Sequence, residues 1–196
     1  MSYIISSITN TFNLLEYCHN TSVDYTLFRE GISLKGNCFQ INYKAKNKAS
    51  LNKIKKNHIL FTTGIELVSS ELREVLEKIA PTEVEFFDAN IFFGNYVLHS
   101  YSAINVLTKI NCFDMGKSEF TLTNFDPHNP QYAFLYTVLL DEIPYSFDIV
   151  RSEETPNTIV VSDKLKIAII NAGLKNIEFC KSIDLTPKNR SSCETS

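Results

Sequence analysis

Residues 158–180 read TIVVSDKLKIAIINAGLKNIEFC and hold a complete strand, helix and strand. The β-branched run 159–161 favours a short extended strand. Ser162 follows, and because a serine side chain accepts a hydrogen bond from the first free amides of a helix, we expect a helix that begins at Asp163. Residues 177–179 return to a β-type pattern. The stretch therefore predicts a strand, a helix and a second strand with short connections.

The predicted helix has one apolar face. Leu165, Ala168, Ile169 and Ala172 are spaced at i, i+3, i+4 and i+7, which places them on one side of a helix. Gly173 follows, and glycine readily adopts the left-handed conformation that ends many helices. This face predicts a helix that packs on a sheet.

A second copy of the unit occurs earlier in the chain. Residues 67–86, LVSSELREVLEKIAPTEVEF, align without a gap with residues 160–179, and five of the twenty positions are identical. The shared capping serine, apolar register and closing Glu-Phe indicate an internal repeat of two units. We interpret Ser69 and Ser162 as helix caps rather than nucleophiles. The identical residues of the first copy are Val68, Ser69, Leu72, Glu85 and Phe86.

The rest of the chain predicts further strands and few helices. We expect the α+β class, with both helices on one mixed, mainly antiparallel sheet. A single domain spans residues 1–183, and a flexible tail follows over 184–196 because DLTPKNRSSCETS has little to bury. Residues 3–19 predict a short helix or an irregular entry, and a hairpin turns at Gly94-Asn95. Strands are expected at 23–27, 38–43, 59–61, 120–122, 132–140 and 145–149.

The charge of −3 is unevenly distributed. Residues 1–60 contain eight Lys and Arg against three Asp and Glu, whereas the rest contains eleven against nineteen. The basic excess lies mostly between Lys44 and Lys56, and we interpret that segment as a solvated loop between strands. The alternative is a nucleic-acid surface. The absence of arginine from the run and of aromatic residues beyond Tyr43 argues against it.

The cysteines and histidines do not form a recognisable ligand pattern. Five cysteines, odd in number and widely separated, suit reduced thiols better than a disulfide framework. No CxxC pair occurs and the four histidines are isolated, so we expect neither a metal site nor a cofactor. The sequence also lacks a signal peptide and any run long enough to span a membrane, and we expect a cytoplasmic protein.

Catalytic signatures are absent. The chain has no GxSxG, phosphate-binding loop, GxGxxG or HExxH. Asp126, His128 and Asn129, with Asp114 nearby in sequence, are the best catalytic candidates, although loop chemistry next to proline explains them more simply. We therefore predict that the protein is not an enzyme, with a small enzyme centred on Asp126 and His128 as an alternative.

Several of these motifs resemble a known family. The run IVVSDKLKIAIINAGLKNIEF at 159–179, the strand 147–151 that ends in Arg, the step 67–72 and Asp114 with Ser118 are similar to the immunity proteins of bacterial polymorphic toxin systems, groups eleven and forty-three. The likeness covers about residues 23–183. It departs at Lys175-Asn176, where the family often has glycine. The motifs are structural, so they specify the fold better than an activity.

The resemblance implies a non-enzymatic protein that binds a cognate toxin domain and blocks its active site. Adjacent carboxylates on loops at Asp141, Glu142, Glu153 and Glu154 are the candidate partner-binding residues, because they suit docking against a basic catalytic cleft. A nucleic-acid-binding or adaptor module that uses Lys44 to Lys56 is the alternative function. The sequence does not reveal the toxin or the oligomeric state.

Overall fold

A computed structural model describes residues 1–123, 131–186, 188 and 190–196. The helices are α1 Lys48–Ile54, α2 Ser70–Ile79 and α3 Asp163–Asn171, and short 3-10 helices span His19–Thr21 and Tyr25–Arg29. The strands in chain order are β1 Ser2–Ser7, β2 Leu15–Tyr17, β3 Asn42–Ala45, β4 Ile59–Leu60, β5 Leu67–Ser69, β6 Val84–Asp88, β7 Asn90–Phe93, β8 Tyr96–Leu98, β9 Tyr101–Val106, β10 Lys109–Ile110, β11 Glu119–Thr123, β12 Gln131–Val138, β13 Ile149–Ser152, β14 Ile159–Ser162, β15 Ile177–Asp184 and β16 Ser192–Thr195.

The described strands form three sheets. The largest has the order β10-β13-β14-β1-β15-β12-β11, with β16 also paired to β15. The second is β2-β3-β7-β8 and the third is β4-β5-β9-β6. All pairs of the described strands are antiparallel except β10 with β13 and β3 with β7. The α+β class with mainly antiparallel pairing is confirmed, but the two repeat units lie in different sheets rather than in one.

The two repeat units have the same arrangement. In each, a helix connects two strands that are separated in the sheet by a third strand from elsewhere in the chain. β9 lies between β5 and β6, and β1 lies between β14 and β15. The pairing register is also shared, since Phe86 lies opposite Ile104 and the equivalent Phe179 lies opposite Ile5. The third sheet therefore depends on β9, which follows its repeat unit, and the largest sheet depends on β1, which lies far from its unit in sequence.

The helix boundaries follow the local signals in the sequence. The helix α3 begins at Asp163, as expected, and the Ser162 hydroxyl oxygen accepts a hydrogen bond from the Leu165 amide at 3.1 Å. Ser69 caps α2 in the same way through the Leu72 amide at 3.3 Å. Gly173 has φ of +70°, the left-handed conformation expected after the helix.

Both helices share one hydrophobic core. α2 and α3 contact each other, and their apolar faces are packed with residues from the largest and the third sheets. Phe179 and Val68 are buried in this core. Two further cores cover other parts of the sheets, one around Phe28 and Tyr43, the other around Cys112 and Phe134. The repeat thus places its two helices at the centre of the described fold.

A buried ion pair connects the largest sheet to the segment that precedes β5. Arg151 on β13 is 0% exposed, and its Nη2 lies 3.0 Å from Oε2 of Glu66, which is itself buried. Arg151 also donates a hydrogen bond to the carbonyl oxygen of Pro156. Either charge would be costly to bury alone, so the two side chains stay paired and fix β13 relative to the segment before β5.

The first sixty residues depart most from the sequence prediction. Residues 3–19 contribute β1 and β2 instead of a helix, and the expected strand at 23–27 is replaced by the 3-10 helix Tyr25–Arg29. The lysine-rich loop contains α1, which begins where the Asn47 side chain accepts a hydrogen bond from the Ser50 amide at 2.8 Å. α1 buries Leu51 and Ile54, whose spacing places them on one face.

Two later segments also differ from expectation. The alternating run at 145–149 forms a strand only from Ile149 onward, where β13 begins. Within the predicted flexible tail, Ser192–Thr195 form β16 and pair with β15. The turn at Gly94 joins β7 to β8, and the predicted hairpin is confirmed by their antiparallel pairing.

Candidate functional site

The first pair of candidate carboxylates lies in an exposed loop before β13. Asp141 has a side chain that is 87% exposed, and its Oδ2 lies 2.9 Å from Nζ of Lys117. Glu142 is exposed beside it, and Tyr145 presents a ring that is 64% exposed. Aromatic side chains beside charges are common at protein interfaces. These residues line a shallow cavity of about 330 Å³ that also contacts Ser162 at the start of α3.

The second pair directly follows β13, and its two members have different environments. Glu153 is exposed, and its Oε1 lies 3.6 Å from Nζ of Lys109. The Glu154 carboxylate instead accepts hydrogen bonds from the amides of Cys112 at 3.0 Å and Phe113 at 3.0 Å. It accepts another from the hydroxyl of Ser152 at 2.7 Å. Glu154 therefore stabilises the fold between β10 and β13, and that bonding leaves it less free to meet a partner.

The four candidates form two pairs, one in the loop before β13 and one directly after that strand. Glu153 and Glu154 border a cleft of about 640 Å³ that contains both charge signs and one aromatic ring. Arg29 and Lys109 supply positive charge there, and Tyr132 supplies the ring. Asp141, Glu142 and Glu153 are the members of the predicted site whose carboxylates face solvent.

A serine, a histidine and a glutamate meet near the start of α2, but they do not form a catalytic triad. Nδ1 of His58 lies 2.9 Å from the Ser69 hydroxyl and 3.9 Å from Oε2 of Glu71. A triad needs the acid and the nucleophile on different ring nitrogens, whereas both are on Nδ1 here. The Ser69 hydroxyl lowers the pKa of Glu71, and Ser69 itself caps the helix. The interpretation of this serine as a cap is confirmed.

The predicted catalytic cluster near Asp114 is described only in part. Asp126, His128 and Asn129 lie outside the described residues. The Asp114 side chain accepts hydrogen bonds from the amides of Gly116 at 3.0 Å and Lys117 at 3.1 Å, which closes a turn. Its side-chain hydrogen bond with Lys117 is the main cause of its lowered pKa. These contacts give Asp114 a structural role in the turn.

The cysteines differ from the prediction that all are reduced. Cys180 on β15 and Cys193 on β16 form a disulfide, because the pairing of the two strands places them directly opposite each other. Glu178 lies close to both sulfur atoms, but those atoms are bonded to each other. Burial raises the pKa of the Cys112 thiol to about 12, and the charge of Glu154 adds to the effect. Cys112 therefore stays protonated and unreactive at neutral pH.

The lysine-rich segment spans β3, α1 and the residues next to them. We call it the lysine surface, and its members, all exposed, are Lys44, Lys46, Lys48, Lys53, Lys55 and Lys56. Nζ of Lys55 lies 5.2 Å from the ring centroid of the half-exposed Tyr96 on β8. Sequence reasoning missed this aromatic neighbour because the fold brings it from a distant hairpin.

Ion pairing of the basic residues is uneven along the chain. After residue 60, eight of the eleven Lys and Arg lie within 4 Å of a carboxylate of a described residue. Before residue 60, none of the eight has such a partner in the part of the chain that the structure describes. The charge of the lysine surface is therefore not neutralised by these contacts.

Comparison with known proteins completes this description. No curated protein matches the chain. Within the described ranges, none of the helices has the length and apolar character to cross a bilayer. The model of an immunity protein family, Imm11, matches residues 35–184, which include both repeat units, the buried Glu66–Arg151 pair and all four candidate carboxylates. Since this match covers most of the 196 residues, the chain belongs to the Imm11 immunity protein family.

Proposed function

We propose that the protein binds a cognate toxin domain of a bacterial polymorphic toxin system in the cytoplasm and blocks the toxin's active site without catalysing a reaction. Family membership supports the immunity role. The observation that supports the docking site is the exposure of Asp141, Glu142 and Glu153 in the loops before and after β13. Exposed carboxylates complement a basic cleft and raise the rate of association with it, and a protein held there excludes the substrate.

The first experiment tests the toxin encoded immediately upstream. The two proteins are co-expressed, their association is measured by pull-down, and protection is measured as growth of the producing cells. Binding together with restored growth supports the proposal. A toxin that remains lethal and unbound in the presence of this protein contradicts it.

A pair of variants then tests the docking site. The double variant Glu142→Lys with Glu153→Lys reverses exposed charges in the loops before and after β13. Glu74→Lys with Glu77→Lys is the matched control, because it changes the net charge equally on the exposed side of α2. We expect the first variant to lose growth protection and the control to keep it. Equal protection by both would remove the acidic loops from the mechanism.

The lysine surface supports a second candidate, a nucleic-acid-binding or adaptor module. Six exposed lysines without a carboxylate within 4 Å among the described residues give a local positive field that favours a polyanion. Fluorescence anisotropy with labelled single-stranded DNA and RNA over a salt series tests it. Binding that weakens steeply with salt, and that Lys53→Gln with Lys56→Gln reduces, would support this candidate. Salt-independent or absent binding would remove it.

A further inference from the structure

The outer edge of β15 is covered by β16. Phe179 and Cys180 each pair on one side with β1, opposite Ile5 and Ile4, and on the other side with β16. A strand residue with two partners has them on opposite edges, so β1 and β16 flank β15. Ser182 likewise pairs with both β12 and β16. Among the described residues, β16 alone occupies this outer edge.

Few non-covalent contacts hold β16 in place. All four of its residues are exposed, so the strand buries little apolar surface. The Ser196 amide donates to the Ile177 carbonyl at 3.0 Å. Oε2 of Glu194 lies 2.6 Å from Nζ of Lys166, an ammonium group that also lies 3.9 Å from the Tyr3 ring centroid. The segment that leads into β16 is also attached, because Arg190 pairs with Glu119 at 2.8 Å and the Asp184 amide donates to the Ser191 hydroxyl at 2.7 Å. The strand itself has only a short ladder and one ion pair with an exposed carboxylate, and such contacts hold a strand weakly.

The disulfide is the strongest connection between β16 and the rest of the fold. Cys180 is buried in β15, and Cys193 is its exposed partner on β16, 13 residues later. Closing a loop of about this length favours the docked arrangement on the order of 100-fold. The family match ends at residue 184, so it includes Cys180 but neither Cys193 nor β16. The covering strand therefore lies outside the part of the fold that the family model describes.

We infer that β16 is a redox-released cover of the outer edge of β15. A dithiol reductant breaks the Cys180–Cys193 bond by thiol–disulfide exchange. The reductant supplies two electrons and two protons and becomes a disulfide, and Cys180 and Cys193 become thiols. Without the bond, β16 leaves the sheet. The backbone of Ile177 to Ser182 and the ammonium group of Lys166 are then open to solvent or to another strand.

Thiol counting and amide hydrogen exchange test this inference on the full chain. Titration of the denatured protein should find three free thiols without reductant, on Cys18, Cys38 and Cys112, and five after reduction. Exchange followed by mass spectrometry should then show Ser192–Thr195 losing protection by at least about tenfold on reduction. Peptides from β1, on the other side of β15, should keep their protection.

Two variants separate strand release from general unfolding. Cys193→Ser removes an exposed sulfur and should show the exchange of the reduced protein in the absence of reductant. Cys38→Ser changes another exposed cysteine and should leave the strand protected. Five titratable thiols without reductant, unchanged protection after reduction, or equal loss of protection in β1 and β16 would each overturn the inference.

Discussion

The buried Arg151–Glu66 pair is the residue-scale contact on which the fold depends most. Arg151→Ala leaves the Glu66 carboxylate buried without its partner, and we expect the free energy of unfolding to fall by about 3–5 kcal/mol. Arg73→Ala removes a partly exposed ion pair with Glu77, a hydrogen bond to the Ser102 hydroxyl and a stacking contact with Phe86, and should cost only about 1–2 kcal/mol. Urea denaturation measures both. Similar losses of unfolding free energy in the two variants would contradict a larger contribution from the buried Arg151 pair.

Buried phenols predict a loss of stability in alkali. Burial raises the pKa of Tyr43 and of Tyr101 well above the ordinary value of about 10, so the unfolded chain releases these protons first. The stabilisation is complete below about pH 10 and falls as the pH rises further, because the folded state then binds more protons than the unfolded state. Tyr43→Phe should make this decline shallower by up to about 1.4 kcal/mol per pH unit.

Urea denaturation at several pH values between about 9 and 11.5 measures the decline. Lys78→Gln on the exposed side of α2 serves as a control that should leave the slope unchanged. The Tyr43 hydroxyl donates to the Ile65 carbonyl at 2.5 Å, so the phenylalanine variant should also be less stable at neutral pH. An identical slope in both proteins would contradict ionisation of Tyr43 as a cause.

At the scale of elements, the serine caps are the clearest link between sequence and structure. Ser162→Ala should lower the free energy of unfolding by about 1 kcal/mol, because the Leu165 amide loses its acceptor. The Ser162 hydroxyl also donates to Asp148 at 2.8 Å. Ser162→Thr keeps the hydroxyl and should recover most of the loss. Thermal unfolding measures the difference, and equal stability of the alanine and serine proteins would contradict the cap.

Local signals made both repeat units predictable from the sequence. The strands β9 and β1 that lie between their two strands were not predictable, because their pairing involves residues outside the units. Ser69, Ser162 and Gly173 act through backbone groups a few residues away, so their effect is readable in sequence. β9 is buried at every position, which removes the alternation that marks a half-exposed strand. β1 pairs Ser2 with Ser162, far along the chain, and nothing local specifies that choice.

The candidate site likewise has features that the sequence predicts and features that only the fold determines. Exposure of Glu142 and Glu153 follows from polar loops at strand ends, a pattern visible in the sequence. The bonding of Glu154 does not, because its donors, the amides of Cys112 and Phe113, reach it only in the folded sheet. The helix in the lysine-rich segment had a readable signal in Asn47 followed by Leu51 and Ile54, but its lysines suggested a solvated loop.

At the scale of the whole molecule, opposite charges lie on different elements. The lysine surface occupies β3, α1 and the residues next to them, and exposed carboxylates lie in the loops before and after β13. If the toxin binds at these carboxylates, its association rate should fall at least about tenfold between low and high salt. Stopped-flow mixing measures this rate. The double variant Glu142→Lys with Glu153→Lys should lose most of the salt dependence, whereas Glu74→Lys with Glu77→Lys should retain it.

The position of β1 between β14 and β15 also affects how the protein is made. β1 leaves the ribosome long before its partners, since Ile4 pairs with Val160 and Cys180, which are synthesised much later. At about 5–20 residues per second, the apolar nascent strand waits on the order of ten seconds for its partners. During translation the run from Tyr3 to Ile5 is therefore exposed to chaperones and to neighbouring chains before its own sheet exists.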